Sequence, residues 1–314
     1  MADASIINKY SDLTLFIIRA GLLDRNLLAD VEKFHTERKY GNMSLILNGT
    51  DGGGNRYGYK YGYHYGYERG INRMWFFKKQ TSLVGSGILE GFTDYHSHIL
   101  PGVDDGIRTL GESLDTLDCL EKLGVKSIWL TPHVMEDIPN TSEKLRERFQ
   151  LLLQYYSGGI ALHLAAEYML DNLFEERLAS EDLLPIGKAQ KHLLVETSYF
   201  NPPMGLNNIL LRIKAKGYIP VLAHPERYTY MNEKDYWRLK GMNVRFQLNL
   251  LSLIGAYGPE VRGKAEWLLK NGYYQLCGTD IHSLTLWKES VMKKRISGNV
   301  SRMLRGIIAT HFPG

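Results

Sequence analysis

The chain has 314 residues, 44% of them hydrophobic and 23% charged, with a formal net charge of +4 at pH 7. That length exceeds one small domain and suits one barrel with an addition, while so mild a charge gives no argument for nucleic-acid binding. No apolar run approaches the ~20 residues of a membrane span, and the first residues lack the basic and long apolar stretches of a secretory signal.

Residues 1–50 open with Leu13-Thr-Leu-Phe-Ile-Ile-Arg19, which reads as a buried strand. An amphipathic helix is predicted over 27–40 and a second strand over 43–48. This β-α-β piece has too few strands to close a sheet and leaves most of its apolar surface exposed. A Gly-rich loop follows, and tyrosine then occupies six alternate positions: Tyr57, Tyr59, Tyr61, Tyr63, Tyr65 and Tyr67. A period of two suits an amphipathic strand, but Gly58, Gly62 and Gly66 and the low complexity favour a flexible linker or tail over 51–73. Phosphorylation would place dense negative charge there; a linker with no chemical role is the other reading.

From Met74 to the end the composition is globular, and Met74-Trp-Phe-Phe-Lys-Lys79 looks like a fresh protein start. Helices are predicted over 110–124, 142–157, 171–180, 205–217, 233–241, 259–272 and 300–311, with Gly124, Gly217 and Gly272 as stops. Strands alternate with them, giving about seven β-α units, which favours a barrel over an open sheet. Cys119 and Cys277 fall in apolar helix or strand patterns and read as reduced core thiols of a cytoplasmic protein.

The chemistry gathers at strand ends. In Phe92-Thr-Asp-Tyr-His-Ser-His98, Asp94, His96 and His98 alternate, so a strand would present all three on one face. The segment runs into a turn holding Asp104 and Asp105. Later apolar runs end in His133, in Glu167, in His224 followed by Arg227, and in the pair Asp280 and His282. Ligands at the C-terminal ends of parallel strands describe a β/α barrel with its site on the top face.

Eight candidate ligands result: His96, His98, Asp105, His133, Glu167, His224, Asp280 and His282. That is too many for one ion, so two or three divalent ions bridged by carboxylates are expected, with Glu167 as the natural bridge. Mixed imidazole and carboxylate donors suit Mn, Fe or Zn, and the lack of nearby thiolates argues against a structural zinc. Such a cluster acidifies a water and clamps phosphoryl oxygens. Arg227 is placed to grip phosphate with its fork; a surface salt bridge with Glu226 is the alternative. Asp94 and Asp104 are ligands or partners that orient an imidazole, and Glu196 is either such a partner or a packing residue. His35, His64, His163, His192 and His311 fall outside the constellation. A cysteine-nucleophile phosphatase is disfavoured, because the residues six beyond Cys119 and Cys277 are Val125 and Ser283 and not arginine. No Gly-x4-Gly-Lys-Ser/Thr loop is present, so kinase-type ATP binding is not expected.

Asp94-Tyr-His-Ser-His98, Val103-Asp-Asp-Gly106, Thr131-Pro-His133, Ala223-His-Pro-Glu-Arg-Tyr228 and Gly278-Thr-Asp-Ile-His282 closely resemble the polymerase-and-histidinol-phosphatase (PHP) superfamily. Their wording points to its bacterial protein-tyrosine-phosphatase branch, which serves capsule and exopolysaccharide systems. The resemblance covers about residues 90–312. It implies a distorted (β/α)7-type PHP barrel, a multinuclear and usually Mn-dependent site, and hydrolysis of phosphotyrosine. The eight candidates would be ligands, with Asp105, His224 and Arg227 in the catalytic machinery and Arg227 on the phosphate. Family members often carry a second arginine past the Asp-x-His motif. Here the region reads Ser283-Leu-Thr-Leu-Trp-Lys288, and Lys288 would have to substitute as a point charge.

The front segment resembles the C-terminal end of a bacterial tyrosine autokinase of the polysaccharide co-polymerase type, whose tyrosine-rich tail is autophosphorylated. The chain therefore looks like a kinase's substrate tail joined to the phosphatase that clears it. Two rivals use the same residues: a phosphatase for a small monoester such as histidinol phosphate, and a non-enzymatic adaptor that docks on the kinase.

Overall fold

The computed structural model describes the backbones of Thr14–Arg19 and Met43–Asn48, and residues 80–293 and 295–309. The predicted helix over 27–40 and the tyrosines at 57–67 lie outside the described residues. The chain divides into two compact units, Met1–Arg73 and Met74–Gly314. In the first, β1 (Thr14–Arg19) and β2 (Met43–Asn48) pair in parallel, Thr14 opposite Met43 through Arg19 opposite Asn48. Parallel neighbours need a crossover between them, as a β-α-β unit supplies.

The second unit is a barrel. Its strands are β4 (Thr93–Asp94), β5 (Ser127–Leu130), β6 (His133–Val134), β7 (Ala161–Leu164), β8 (Glu167–Met169), β9 (His192–Glu196), β10 (Ile219–Ala223), β11 (Arg245–Asn249) and β12 (Tyr274–Gly278). β3 (Gln80–Ser82) stands apart, pairing antiparallel with β13 (Arg295–Ser297). Two parallel sheets make the wall, one ordered β12-β11-β10-β9-β8-β6 and one ordered β4-β5-β7. β5 and β6 are one strand broken at Thr131-Pro132, where proline has no amide to give the ladder. β7 and β8 are a second strand, broken at Ala165-Ala166. Counted this way, seven strands form the wall. Backbone bonds from Tyr95 N to Cys277 O (3.1 Å), Asp280 N to His96 O (2.8 Å) and His98 N to Ile281 O (3.1 Å) close the first strand on the last.

The helices are α1 (Leu110–Lys122), α2 (Ser142–Tyr155), α3 (Asn172–Ser180), α4 (Leu206–Ala215), α5 (Glu233–Gly241), α6 (Leu250–Leu253), α7 (Pro259–Lys270), α8 (Leu284–Lys293) and α9 (Gly298–Ala309). α6 and α8 were not expected from the sequence. Thr109 and Asn232 close capping boxes on α1 and α5, which satisfies amides that have no partner inside the helix. Gly124 and Gly217 take φ of +90° where their helices end, a conformation that costs glycine little. Most buried apolar side chains form one core between barrel and helices. A smaller cluster of Ala165, Ile186, Leu194, Val221, Ala223 and Leu276 is packed by Tyr95 and Trp129. Leu194, Val221 and Ala223 alternate along β9 and β10, so this cluster fills the barrel interior. It forms an apolar floor, and the polar residues stand above it at the C-terminal ends of the strands.

Candidate metal centre

The backbone aims the donors. The chain bends at Tyr95 just past the end of β4, and His96 and His98 follow in the irregular segment, both fully buried. His133 starts β6, Glu167 starts β8, and Glu196 ends β9. His224 and Asp280 follow β10 and β12, and both take left-handed backbone conformations, with φ of 32° and 51°. Such conformations cost non-glycine residues energy and cluster at functional sites.

Several imidazoles are held from behind. His96 Nδ1 lies 2.9 Å from Gln247 Oε1, and that amide is itself fixed, accepting from His224 N and donating to Leu248 O. His98 Nδ1 donates to Asp104 Oδ2 at 2.8 Å, and His282 Nδ1 to the Asp280 carbonyl at 3.0 Å. Each arrangement leaves Nε2 for the centre. There His96 Nε2 and His98 Nε2 are 3.1 Å apart. Glu167 Oε2 lies 3.1 Å from His96 Nε2, 3.4 Å from His98 Nε2 and 3.1 Å from His133 Nδ1, while its Oε1 lies 3.1 Å from His224 Nε2. Asp280 Oδ1 lies 3.3 Å from His98 Nε2 and 3.5 Å from His96 Nε2.

Among the described residues, four groups have donor atoms close enough to share an ion: His98 with Asp105, His133 and His282; His96 with Glu167 and His224; His96 with His98 and Asp280; and His133 with Glu167 and Glu196. Both Glu167 oxygens, Glu196 Oε1, Asp280 Oδ1 and His133 Nδ1 are buried without a hydrogen-bond partner. Buried polar atoms left in that state are costly, and a bound cation removes the cost. The donor set therefore fits divalent metal. It holds nitrogen and carboxylate oxygen and no thiolate; Cys277 is buried in the main core.

The electrostatics describe the same demand. Burial is the largest single influence on Glu167 and Asp280 and works against ionising them, but the neighbouring imidazoles together outweigh it, His96 with His133 and His224 at Glu167 and His96 with His98 and His224 at Asp280; both carboxyls are held well below the usual carboxylate range. Burial and His98 oppose protonation of His133, but Glu167 and Glu196 overcome them and lift it to about 10. The hydrogen bond from His282 holds Asp105 down at about 2. The carboxylates thus draw positive charge onto the imidazoles, as they would draw it from a metal ion.

Arg227 lies beside this cluster. Its guanidinium is sandwiched between the rings of Tyr199 (4.3 Å) and Tyr257 (4.2 Å), and its Nη1 donates to Asp280 Oδ2 at 3.1 Å.

A family model described as "Capsular polysaccharide synthesis, CpsB/CapC" matches residues 92–297. The chain belongs to the CpsB/CapC family. It is 30% identical over 208 residues to the tyrosine-protein phosphatase CpsB of Streptococcus pneumoniae, covering 61% of this chain and 83% of that one. It is 27% identical over 197 residues to the tyrosine-protein phosphatase YwqE of Bacillus subtilis, covering 61% and 77%. Its fold is similar to a crystal structure from a study of YwqE and CpsB, described as unique metal-dependent tyrosine phosphatases, with a TM-score of 0.59 at 22% identity over 71% of this chain and 88% of that one.

In this CpsB/CapC chain all eight candidate ligands converge, and Glu196 joins them. Asp104 orients an imidazole, as one of its two readings held. Asp94 does neither of the things proposed for it: its carboxylate accepts from Thr279 N (2.9 Å) and His96 N (3.2 Å), holding backbone at the barrel seam. Burial raises its carboxyl to about 6 against those bonds. Glu226 is not the partner of Arg227. It is fully buried and accepts from Asn249 N (3.0 Å) and Tyr274 Oη (2.9 Å). Lys288 is exposed on α8 and lines neither cavity that borders His282. His163 stacks on Trp129 at 4.6 Å, below the centre. Gln247, Asn249, Tyr199 and Tyr257 were not singled out from sequence. Gln247 and Asn249 had a readable signal, since they alternate at the end of an apolar strand, Arg245-Phe-Gln-Leu-Asn249. The tyrosines had none.

Proposed function

We propose that this chain is a metal-dependent protein-tyrosine phosphatase of capsule or exopolysaccharide synthesis, and that His96, His98, Asp105, His133, Glu167, His224, Asp280 and His282 hold its ions, with Glu196 as an added donor. The observation that carries the reading is Glu167, a buried carboxylate with four imidazole nitrogens 3.1–3.4 Å from its two oxygens and no hydrogen bond to either. Charge supports more than one ion. Asp104, Asp105, Glu167, Glu196 and Asp280 carry five negative charges when ionised, and Arg227 returns one. One divalent ion leaves the site near −2 and two leave it near neutral. We take manganese as the ion, with iron or zinc as the alternatives; nitrogen and oxygen donors accept all of them.

When bound, the ions acidify water and neutralise charge on the phosphoryl group. Arg227 orients that group. Asp280 takes one of its five N–H donors, and the tyrosine rings fix the plane of the rest. Asp105 is the exposed member of the cluster, kept ionised by His282, and is placed to accept a proton from the attacking water. Asp104 and Gln247 keep Nε2 of His98 and His96 facing inward. The leaving group is a tyrosyl oxygen with an ordinary pKa near ~10, so it departs with little protonation.

The substrate we favour is the phosphorylated tyrosine-rich tail of a bacterial tyrosine autokinase, in the cytoplasm. Residues 1–50 are taken as a fragment of such a kinase and Tyr57, Tyr59, Tyr61, Tyr63, Tyr65 and Tyr67 as phosphorylation sites. The parallel pairing of β1 with β2 agrees with the β-α-β end of that fragment. The test is phosphate release from a phosphorylated Tyr57–Tyr67 peptide, with Mn or with chelator, by wild type and His224→Ala. Metal-dependent release lost in the variant supports the reading. No release under any metal overturns it and favours the adaptor.

A further inference from the structure

We propose that the cavity between α6 and α8 is the subsite for the aromatic ring of the substrate, and that it selects aryl over alkyl phosphate monoesters. This rests on the phosphatase reading above. The cavity has a volume of about 430 Å³, within the ~300–1,000 Å³ of small-ligand sites. One end is formed by Asp280 and His282, both members of the metal centre. Its walls are mainly apolar, from Leu251, Tyr257, Ile281, Leu286 and Trp287, with Glu289 and Ser290 also lining it. Tyr257 joins the two parts of the site, because its ring stacks on the Arg227 guanidinium. A phosphoryl group held by Arg227 and the centre therefore has an apolar recess directly beside it.

The opposite side of His282 offers the contrast. A second cavity of about 460 Å³ is lined by Asp105, Arg108, Glu112 and Asp115, with Ile107 and Leu284 beside them. Its charged side chains make it the more polar of the two, so an aromatic ring gains less there. Of these two spaces beside His282, the first offers a ring the more apolar wall. Leu286 is 69% exposed on its wall, and an entering ring would cover it. The gain scales with buried apolar area, so a ring profits far more than a short alkyl chain with little to bury.

The experiment compares phenyl phosphate with propyl phosphate, which share the charged group and differ in the ester. Two variants are used: Ser290→Trp, which fills the cavity, and Leu286→Ser, at an exposed position where folding is not at issue. Neither residue belongs to the metal centre. Discrimination by apolar pockets is worth about 10–200-fold. For phenyl phosphate, Ser290→Trp should lower kcat/KM by about tenfold or more through KM, and Leu286→Ser by about threefold, with propyl phosphate within about twofold of wild type. Binding of phenylphosphonate by calorimetry should weaken in parallel, independent of turnover. If both esters fall together, or neither changes, the aryl subsite is wrong while the phosphatase stands. If wild type hydrolyses neither ester, both are wrong.

Discussion

Gly278 ends β12 at the seam where the barrel closes, and replacing it with alanine tests how the centre is built. A methyl there would stand 2.4 Å from His96 Cβ, 2.9 Å from His96 N and 2.8 Å from Gln247 Nε2. Two of these atoms belong to the His96 backbone and Cβ, which cannot swing aside as a side-chain tip does. Gly278 does not require a positive φ, so the effect of Gly278→Ala is steric and not conformational. Overpacking of this kind costs about 1–3 kcal/mol. For a domain of this size each kcal/mol moves Tm by about 2–4 °C, so the chelated variant should melt roughly 2–12 °C lower. The displaced parts are His96 and the amide that orients it, so metal affinity should fall as well, by about 10–100-fold, as when an orienting partner is removed. Thermal melts in chelator and calorimetric titration with Mn measure the two effects. Gly263→Ala is the control. Gly263 lies within α7 with nothing within 4 Å of the added methyl, and there alanine should stabilise by about 0.5–1 kcal/mol. If Gly278→Ala binds metal and melts like wild type, the close approach of Gly278 to His96 does not shape the centre.

Three further outcomes are expected. Asp104→Asn removes the anion behind His98 Nδ1 and should weaken metal binding about 10–100-fold; unchanged titration would refute its orienting role. Arg227→Lys keeps the charge but loses the fork and the stacking between Tyr199 and Tyr257, so KM for an aryl phosphate should rise about tenfold or more with metal affinity unchanged; an unchanged KM refutes phosphate binding by Arg227. In chelated protein the folded-state value of His133 is raised to about 10 from an ordinary ~6.5. Its contribution to stability is fully present below the unfolded value and is lost as pH rises through the folded one. Melts in chelator should therefore fall between about pH 6.5 and 10, while Mn affinity should rise over that window as metal displaces protons; a chelated Tm that climbs across it refutes the assignment.

Much of the barrel and its centre was legible because two periodicities coincide. Apolar runs end in a donor at the same point of each β-α unit, and a parallel barrel has one face where such ends meet. His96 and His98 were readable from alternation alone, and Asp104 from its place in the following turn. Tyr199 and Tyr257 were not, since contacts between loops far apart in sequence leave no local period. Their stacking on Arg227 arises only when the loops after β9 and α6 fold over the same end of the barrel. α8 was hidden because Ser283-Leu-Thr-Leu-Trp-Lys288 follows the last ligand at once, with no loop between them to mark a helix start. The break at Thr131-Pro132 was readable in principle, since proline ends a ladder. It is what separates β5, which pairs with β7, from β6, which carries His133 against β8.

His224 shows why a correct ligand assignment can rest on an incomplete rule. Along β10 the interior positions include Val221 and Ala223, which pack in the small cluster on the barrel floor. Alternation then sends residue 224 outward, away from the centre. The chain departs from the strand instead. His224 adopts φ of 32°, the 3-10 turn Pro225–Arg227 follows, and Arg227 N closes on His224 O at 2.9 Å. This left-handed step returns the imidazole over the barrel mouth, with Nε2 3.1 Å from Glu167 Oε1. The same turn sends Arg227 to Asp280 and buries Glu226 on the other side, against Asn249 and Tyr274. A non-glycine residue in this region costs about 1–2 kcal/mol, and the surrounding structure must hold it there. Gln247 does so by accepting from His224 N while its same oxygen orients His96. One buried amide thus couples the strained turn that carries His224 and Arg227 to the imidazole on the first strand. The spacing of His224, Glu226 and Arg227 is therefore the sequence form of one turn that sends three side chains to three different places.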